Sequence, residues 1–163
     1  MLLASPRLLF LLAFLACVAL MGGALYLEHA VGLEPCPLCI VQRIFLVLIG
    51  LVCLAGAIHG PARGGRRIYS VLVFLLALLG GATAARQVWL QTVPLEQLPA
   101  CLPSLDYMME ALPFQEIVRL VLHGTADCAE VSWKLFTLSL PEWSLLAFVA
   151  YLGFSIMQFL RRA

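Results

Sequence analysis

The sequence predicts an all-α membrane protein, a four-transmembrane-helix bundle in a single membrane domain, residues 1–163. The first observation is composition: 63% of the side chains are hydrophobic and 12% charged, against about 45–50% apolar and about 25% charged in soluble domains. A small core cannot bury that excess, so a soluble globular domain and a disordered chain are both excluded. A net charge of +1 also argues against nucleic-acid binding.

The second observation is four apolar runs of roughly 20 residues, the length that crosses a bilayer. The runs are predicted to be helices, because the bilayer core has no water for unpaired backbone groups. They cover about residues 8–27, 40–58, 68–88 and 143–160, with loops at about 28–39, 59–67 and 89–142. The first run exceeds the roughly 7–15 residues of a signal-peptide core, so we interpret it as a retained span.

The third observation is the charge distribution, which predicts the orientation. Six arginines lie on one side of the four spans, without acidic neighbours, and all nine acidic residues fall on the other side. The six are Arg7, Arg63, Arg66, Arg67, Arg161 and Arg162. By the positive-inside rule, both termini and loop 59–67 are cytoplasmic, and loops 28–39 and 89–142 face outward.

The long outer loop is expected to contain a short amphipathic helix at 114–122, which would lie either in the membrane interface or against the rest of the loop. Within the spans, the pairs Gly22–Gly23 and Gly80–Gly81 indicate close helix packing.

Cysteines carry the main functional signal. Cys36 and Cys39 form a C-x-x-C motif in the first outer loop, where Pro37 favours the first turn of a helix. Such a motif suits a dithiol that cycles between oxidation states, because exchange needs an accessible, stabilised thiolate. The positive end of the helix dipole favours a thiolate at Cys39.

Two arginines accompany this motif. Arg43 follows Cys39 by four residues, on the same helical face, where its charge could stabilise the thiolate and attract an anionic ligand. Arg86 ends the third span on the same side of the membrane and could face a shared cavity. Either arginine could instead be an interfacial anchor.

The other cysteines permit several readings. From spacing alone, a structural disulfide between Cys101 and Cys128 is the favoured interpretation, and a zinc site is disfavoured because these two are widely separated. Cys17 and Cys53 lie inside spans and are most simply packing residues.

Two stretches together resemble the DsbB family of bacterial disulfide-bond formation proteins. The segment 35–43, PCPLCIVQR, is similar to its P-C-x-x-C-x-x-x-R signature. The segment from Asp127 is similar to its D-C-A-E, W, P-x-W and A-Y-L stretch. The C-x-x-C motif alone would be weak evidence, but its combination with the four-span topology is specific.

The resemblance implies a protein-disulfide:quinone oxidoreductase of the bacterial inner membrane, with its redox cysteines on the periplasmic side. It would reoxidise a DsbA-type periplasmic thioredoxin-fold oxidase and pass the electrons to ubiquinone, or to menaquinone under anaerobic conditions, without a metal. Cys101 and Cys128 would exchange with DsbA, Cys101 forming the mixed disulfide, and Cys36 and Cys39 would reoxidise them. Cys39 and Arg43 would bind the quinone, together with Arg86.

Gln42 stands where some members have an acidic residue, and residues 87–101 lack a histidine that some members carry. Two alternatives stay open: a quinone-linked thiol enzyme of the vitamin K epoxide reductase type, and a noncatalytic membrane protein with two permanent disulfides. Arg43 beside Cys39 argues against the second, because a structural protein does not need that charge.

Overall fold

The structure is a computed structural model that describes residues 5–33, 35–94, 113, 115–116, 119, 121, 124, 126–129 and 134–161. Four helices in this part of the chain are long and apolar enough to cross a membrane: α1 (Pro6–Val31), α2 (Pro37–His59), α3 (Arg63–Leu90) and α5 (Leu140–Leu160). Three short elements also lie within the described residues: α4 (Ala126–Ala129), β1 (Lys134–Leu135) and β2 (Leu138–Ser139). The predicted class, a four-helix membrane protein, is confirmed.

The helix ends near the C-x-x-C motif follow local capping signals. Helix α1 stops at Gly32, whose φ of 76° is the left-handed conformation that glycine tolerates best. Helix α5 starts with a capping box, in which Glu142 accepts a hydrogen bond from the backbone N–H of Ser139 at 2.6 Å. These caps satisfy backbone groups where the chain leaves the apolar layer.

The four long helices run up and down, so that their ends collect at two opposite sides. Helix α1 packs on α2, α2 on α3, and α3 on α5. We call one side the cysteine end, formed by the ends of α1 and α3 and the starts of α2 and α5. The opposite side is the arginine end, where Arg66 donates a hydrogen bond to the carbonyl of Arg161 and Arg67 lies 5.6 Å from the ring centre of Phe159.

A continuous apolar core joins the helices between these two ends. Its buried members are Phe10, Cys17, Ile49, Cys53, Val73, Ala77, Ala84, Phe148 and Tyr151. At Gly80 the expected close packing is present, because a β-carbon there would overlap the ring of Phe148. At Gly22 and Gly23 the expectation was wrong, since no described atom lies within 4 Å of an added β-carbon.

A two-stranded antiparallel hairpin precedes α5 and was not predicted. Lys134 pairs with Ser139 and the turn residues Phe136 and Thr137 have φ values of 50° and 71°. Strands of two residues are too short for alternation to be visible, and Phe-Thr is not a typical turn pair. The expected helix at 114–122 lies largely outside the described residues.

Candidate functional site

Three of the four predicted redox cysteines meet at the cysteine end. The sulfurs of Cys36 and Cys39 are 2.9 Å apart, and Cys36 also hydrogen-bonds to Cys128. Cys128 is 1% exposed and packs with Leu38 and Leu90 in a small apolar cluster. Cys36 therefore lies between the other two sulfurs, within reach of both.

The start of α2 positions this dithiol. Cys36 is the N-cap, with φ −67° and ψ 161°, and Pro37 occupies the first turn. The backbone N–H of Cys39 donates to the Cys36 sulfur at 3.4 Å, so the thiol group takes the place of a capping oxygen. The C-x-x-C motif is thereby folded onto a helix N-terminus, as the proline spacing predicts.

The hydrogen bonds around Cys36 have an electrostatic consequence. The pKa of the Cys36 thiol is raised, because its protonated form hydrogen-bonds to Cys128 and to Cys39 and because the group is buried. In the reduced state Cys36 is therefore held as a thiol, in contact with both Cys39 and Cys128.

Two buried glutamines, Gln87 and Gln42, lie beside the sulfurs of Cys36 and Cys39. The side-chain amide nitrogen (Nε2) of Gln87 lies 3.1 Å from the Cys36 sulfur and 3.3 Å from the Cys39 sulfur. Its amide oxygen accepts a hydrogen bond from Nε2 of Gln42 at 2.7 Å. Sequence reasoning missed Gln87; the available signal was a polar side chain in the last turn of an apolar span.

A cavity of about 620 Å³ opens beside the dithiol, between α1, α2, α3 and α5. Cys36, Cys39, Gln42, Arg43 and Gln87 contribute its polar wall. Apolar side chains from α1 and α5 line the remainder, among them Leu20, Leu27, Leu140, Ala147 and Phe148. Its volume and mixed lining are typical of a small-molecule site, with a few polar groups to orient a largely apolar ligand.

Arg43 lines this cavity but its charge is paired. Its guanidinium forms a salt bridge with Glu28 of α1, and a second nitrogen donates to the carbonyl of Ala24 at 3.4 Å. The two charged side chains are 23% and 29% exposed. Glu28 was not singled out from the sequence, although an acidic residue at the end of the first span, level with Arg43, was a usable signal.

Arg86 has a different environment. Its guanidinium carbon lies 4.4 Å from the centre of the Trp89 ring, and Trp89 is exposed. The described residues that line the cavity do not include Arg86. Stacking of an arginine on an exposed tryptophan at the end of a span is typical of an interfacial anchor.

The remaining cysteines are placed as follows. Cys101 lies outside the described residues. Cys17 and Cys53 belong to the apolar core, where the Cys17 thiol donates to the Tyr151 hydroxyl at 2.9 Å. These contacts are internal to the helix packing and separate from the cysteine end.

The fold and the site together define a polytopic membrane protein with a dithiol at the mouth of a cavity within the bundle. Residues 6–158 match the family described as "Disulfide bond formation protein DsbB". The chain is 87% identical to Disulfide bond formation protein B 1 of Pseudomonas aeruginosa, covering 99% of both chains. It is 62% identical to Disulfide bond formation protein B of Stutzerimonas stutzeri, covering 98% of both. The protein belongs to the DsbB family.

Proposed function

We propose that the protein reoxidises a DsbA-type thiol oxidase by thiol–disulfide exchange and passes the electrons to a membrane quinone. The observation that carries this proposal is a row of contacts: Cys128 contacts Cys36, Cys36 contacts Cys39, and Cys39 lines the cavity. Electrons entering at the long loop have a path of neighbouring sulfurs to a site that a lipid-soluble acceptor can occupy.

The exchange steps balance as follows. Reduced DsbA attacks the Cys101–Cys128 disulfide, forms a mixed disulfide with Cys101, and leaves DsbA oxidised and the loop pair reduced. The Cys128 thiolate then attacks Cys36 in the Cys36–Cys39 disulfide, and Cys39 leaves as a thiolate. Attack of Cys101 on Cys128 restores the loop disulfide and releases Cys36. The contact between Cys36 and Cys128 supports this route.

The cavity suits a quinone head group. Apolar walls would enclose the ring, while Arg43 and Gln42 offer hydrogen-bond donors for its carbonyl oxygens. When bound, ubiquinone, or menaquinone under anaerobic conditions, supplies an acceptor for two electrons and two protons. Cys36 and Cys39 form their disulfide as they give up two electrons. Because Arg86 stacks on Trp89, the proposal for quinone binding depends on Cys39 and Arg43.

We further propose that the cysteine end is periplasmic and the arginine end cytoplasmic, in a bacterial inner membrane. Arg63, Arg66, Arg67 and Arg161 lie together at the arginine end. The helix lengths support four crossings with both termini inside, within one membrane domain.

The test is oxidation of reduced DsbA by the purified protein with added ubiquinone, followed by thiol trapping. We expect quinone-dependent turnover in the parent and its loss in Cys39→Ser. Cys53→Ala is the matched control, since Cys53 is a buried cysteine of the core, and it is expected to retain turnover. Turnover in a Cys39→Ser protein equal to that of the parent would refute the proposal.

A further inference from the structure

Gln87 has a buried side-chain amide, and both its nitrogen and its oxygen form hydrogen bonds with groups at the cysteine end. It is 3% exposed, on the last turn of α3, and Gln42 is 5% exposed, on the second turn of α2. A buried amide is costly unless its donors and acceptor find partners. Here the partners are two sulfurs and a second amide, rather than backbone groups of the helix.

The orientation of the Gln87 amide follows from Gln42. Because Nε2 of Gln42 donates to the Gln87 oxygen at 2.7 Å, the Gln87 nitrogen is directed at the sulfurs, 3.1 Å from Cys36 and 3.3 Å from Cys39. The Gln87 oxygen lies farther from the Cys39 sulfur, at 3.7 Å. The reverse orientation would bring two NH₂ groups together and set an oxygen against the sulfurs. Gln42 therefore fixes which end of the neighbouring amide the dithiol meets.

We propose that Gln87, oriented by Gln42, is a positioning residue that sets the reduction potential of the Cys36–Cys39 pair. A thiolate accepts a hydrogen bond from an N–H far more strongly than a disulfide sulfur does. The amide thus stabilises the reduced pair relative to the disulfide and makes the disulfide a stronger oxidant.

The step concerned is the half-reaction in which the disulfide takes up two electrons and one proton to give the Cys36 thiol and the Cys39 thiolate. The inference rests on the proposed function, because it explains how this pair could accept electrons from the loop cysteines. The equilibrium itself is measurable without DsbA or quinone, and this separates the two proposals.

The experiment uses the full-length protein in detergent, freed of quinone, with Cys101 and Cys128 replaced by alanine. It is equilibrated with reduced and oxidised glutathione, quenched with acid and labelled with a maleimide. The fraction of Cys36–Cys39 disulfide gives the equilibrium constant. Cys17 and Cys53 add a constant background in every variant.

We expect Gln87→Met, which keeps the length but removes the donor, to shift the equilibrium about tenfold toward the disulfide. For a two-electron couple this is about 30 mV more reducing. Gln87→Glu should shift it in the same direction, since it lacks the donor and places a carboxylate beside the sulfurs. Gln42→Met should give a smaller shift of the same sign.

The matched control is Thr83→Val, one turn earlier on the same helix, where the buried hydroxyl donates to the Gly80 carbonyl of its own helix. It is expected to leave the equilibrium within about twofold of the parent. The proposal is overturned if both Gln87 variants stay within that range, or if Thr83→Val shifts the equilibrium as far as they do. If the Gln87 variants shift the glutathione equilibrium as expected but the parent protein does not oxidise reduced DsbA with ubiquinone, the proposed function alone is refuted.

Discussion

At the residue scale, the chemistry of the site depends on which neighbour each polar side chain meets. The sequence predicts that the charge of Arg43 stabilises the Cys39 thiolate and attracts an anionic ligand; in the structure that charge forms a salt bridge with Glu28 on α1. Spacing along one helix could place Arg43 and Cys39 on one face. It could not show a partner from α1, because that contact depends on how the two helices are rotated against each other.

Replacing Arg43 by methionine is expected to raise the KM for quinone about tenfold, since a hydrogen bond to a charged group is lost. The glutathione equilibrium of the Cys36–Cys39 pair should stay within about twofold, because the described hydrogen bonds of Arg43 go to Glu28 and to the Ala24 carbonyl rather than to either sulfur. Steady-state quinone titrations measure the first quantity. The control is Arg67→Met at the arginine end, and an equal KM increase there would contradict the assignment.

Cys36 carries a second prediction at this scale. Its pKa is raised by hydrogen bonds to Cys128 and Cys39 and by burial, so at neutral pH the reduced group is a thiol and alkylates slowly. Replacing Cys128 by alanine removes the first of these causes. The pH–rate profile for alkylation of Cys36, read by peptide mass spectrometry, should then move to lower pH. An unchanged or higher midpoint would show that Cys128 does not hold the proton on Cys36.

At the element scale, the apolar runs and capping signals predict the four long helices, because helix formation in a bilayer is dictated by backbone hydrogen bonding. The start of α2 at Pro37 follows from the proline alone. The hairpin at 134–139 has no comparable signal, since its short strands leave no periodic pattern. Packing between helices was predictable only in part, as the two glycine pairs show.

The two glycine pairs give a prediction on helix packing. Gly80→Ala is expected to destabilise the protein by about 1–3 kcal/mol, the usual cost of overpacking, because the new methyl group overlaps Phe148. Gly22→Ala, on α1, has open space and should be neutral or slightly stabilising. Thermal unfolding in detergent compares the two. Equal melting temperatures would mean that α3 and α5 are not packed as closely as described.

At the scale of the whole molecule, the cysteine end and the arginine end lie on opposite sides of the bundle, which separates the C-x-x-C motif from the cluster of arginines. Composition and charge distribution were sufficient to predict that division. The convergence of Cys128 on Cys36 was not predictable from spacing, because it brings together residues 92 positions apart. It depends on the packing of α4 against α2 and α3.

The orientation is testable with single cysteines placed at Thr92 and Ala62 in a background lacking the native ones. Both positions are exposed, the first at the cysteine end and the second at the arginine end. In intact spheroplasts a membrane-impermeant maleimide should label Thr92→Cys, and should label Ala62→Cys only after the membrane is disrupted. The opposite pattern would invert the proposed topology.

Whether Cys36 and Cys39 pass electrons to a quinone is tested most directly by a single turnover without DsbA. The fully reduced protein, with Cys101 and Cys128 replaced by alanine, is mixed anaerobically with ubiquinone, and quinone loss and disulfide formation are followed together. We expect about one quinone reduced for each Cys36–Cys39 disulfide formed, and none in the matched Cys39→Ser protein. Quinone reduction without that disulfide, or a disulfide without quinone loss, would contradict this expectation.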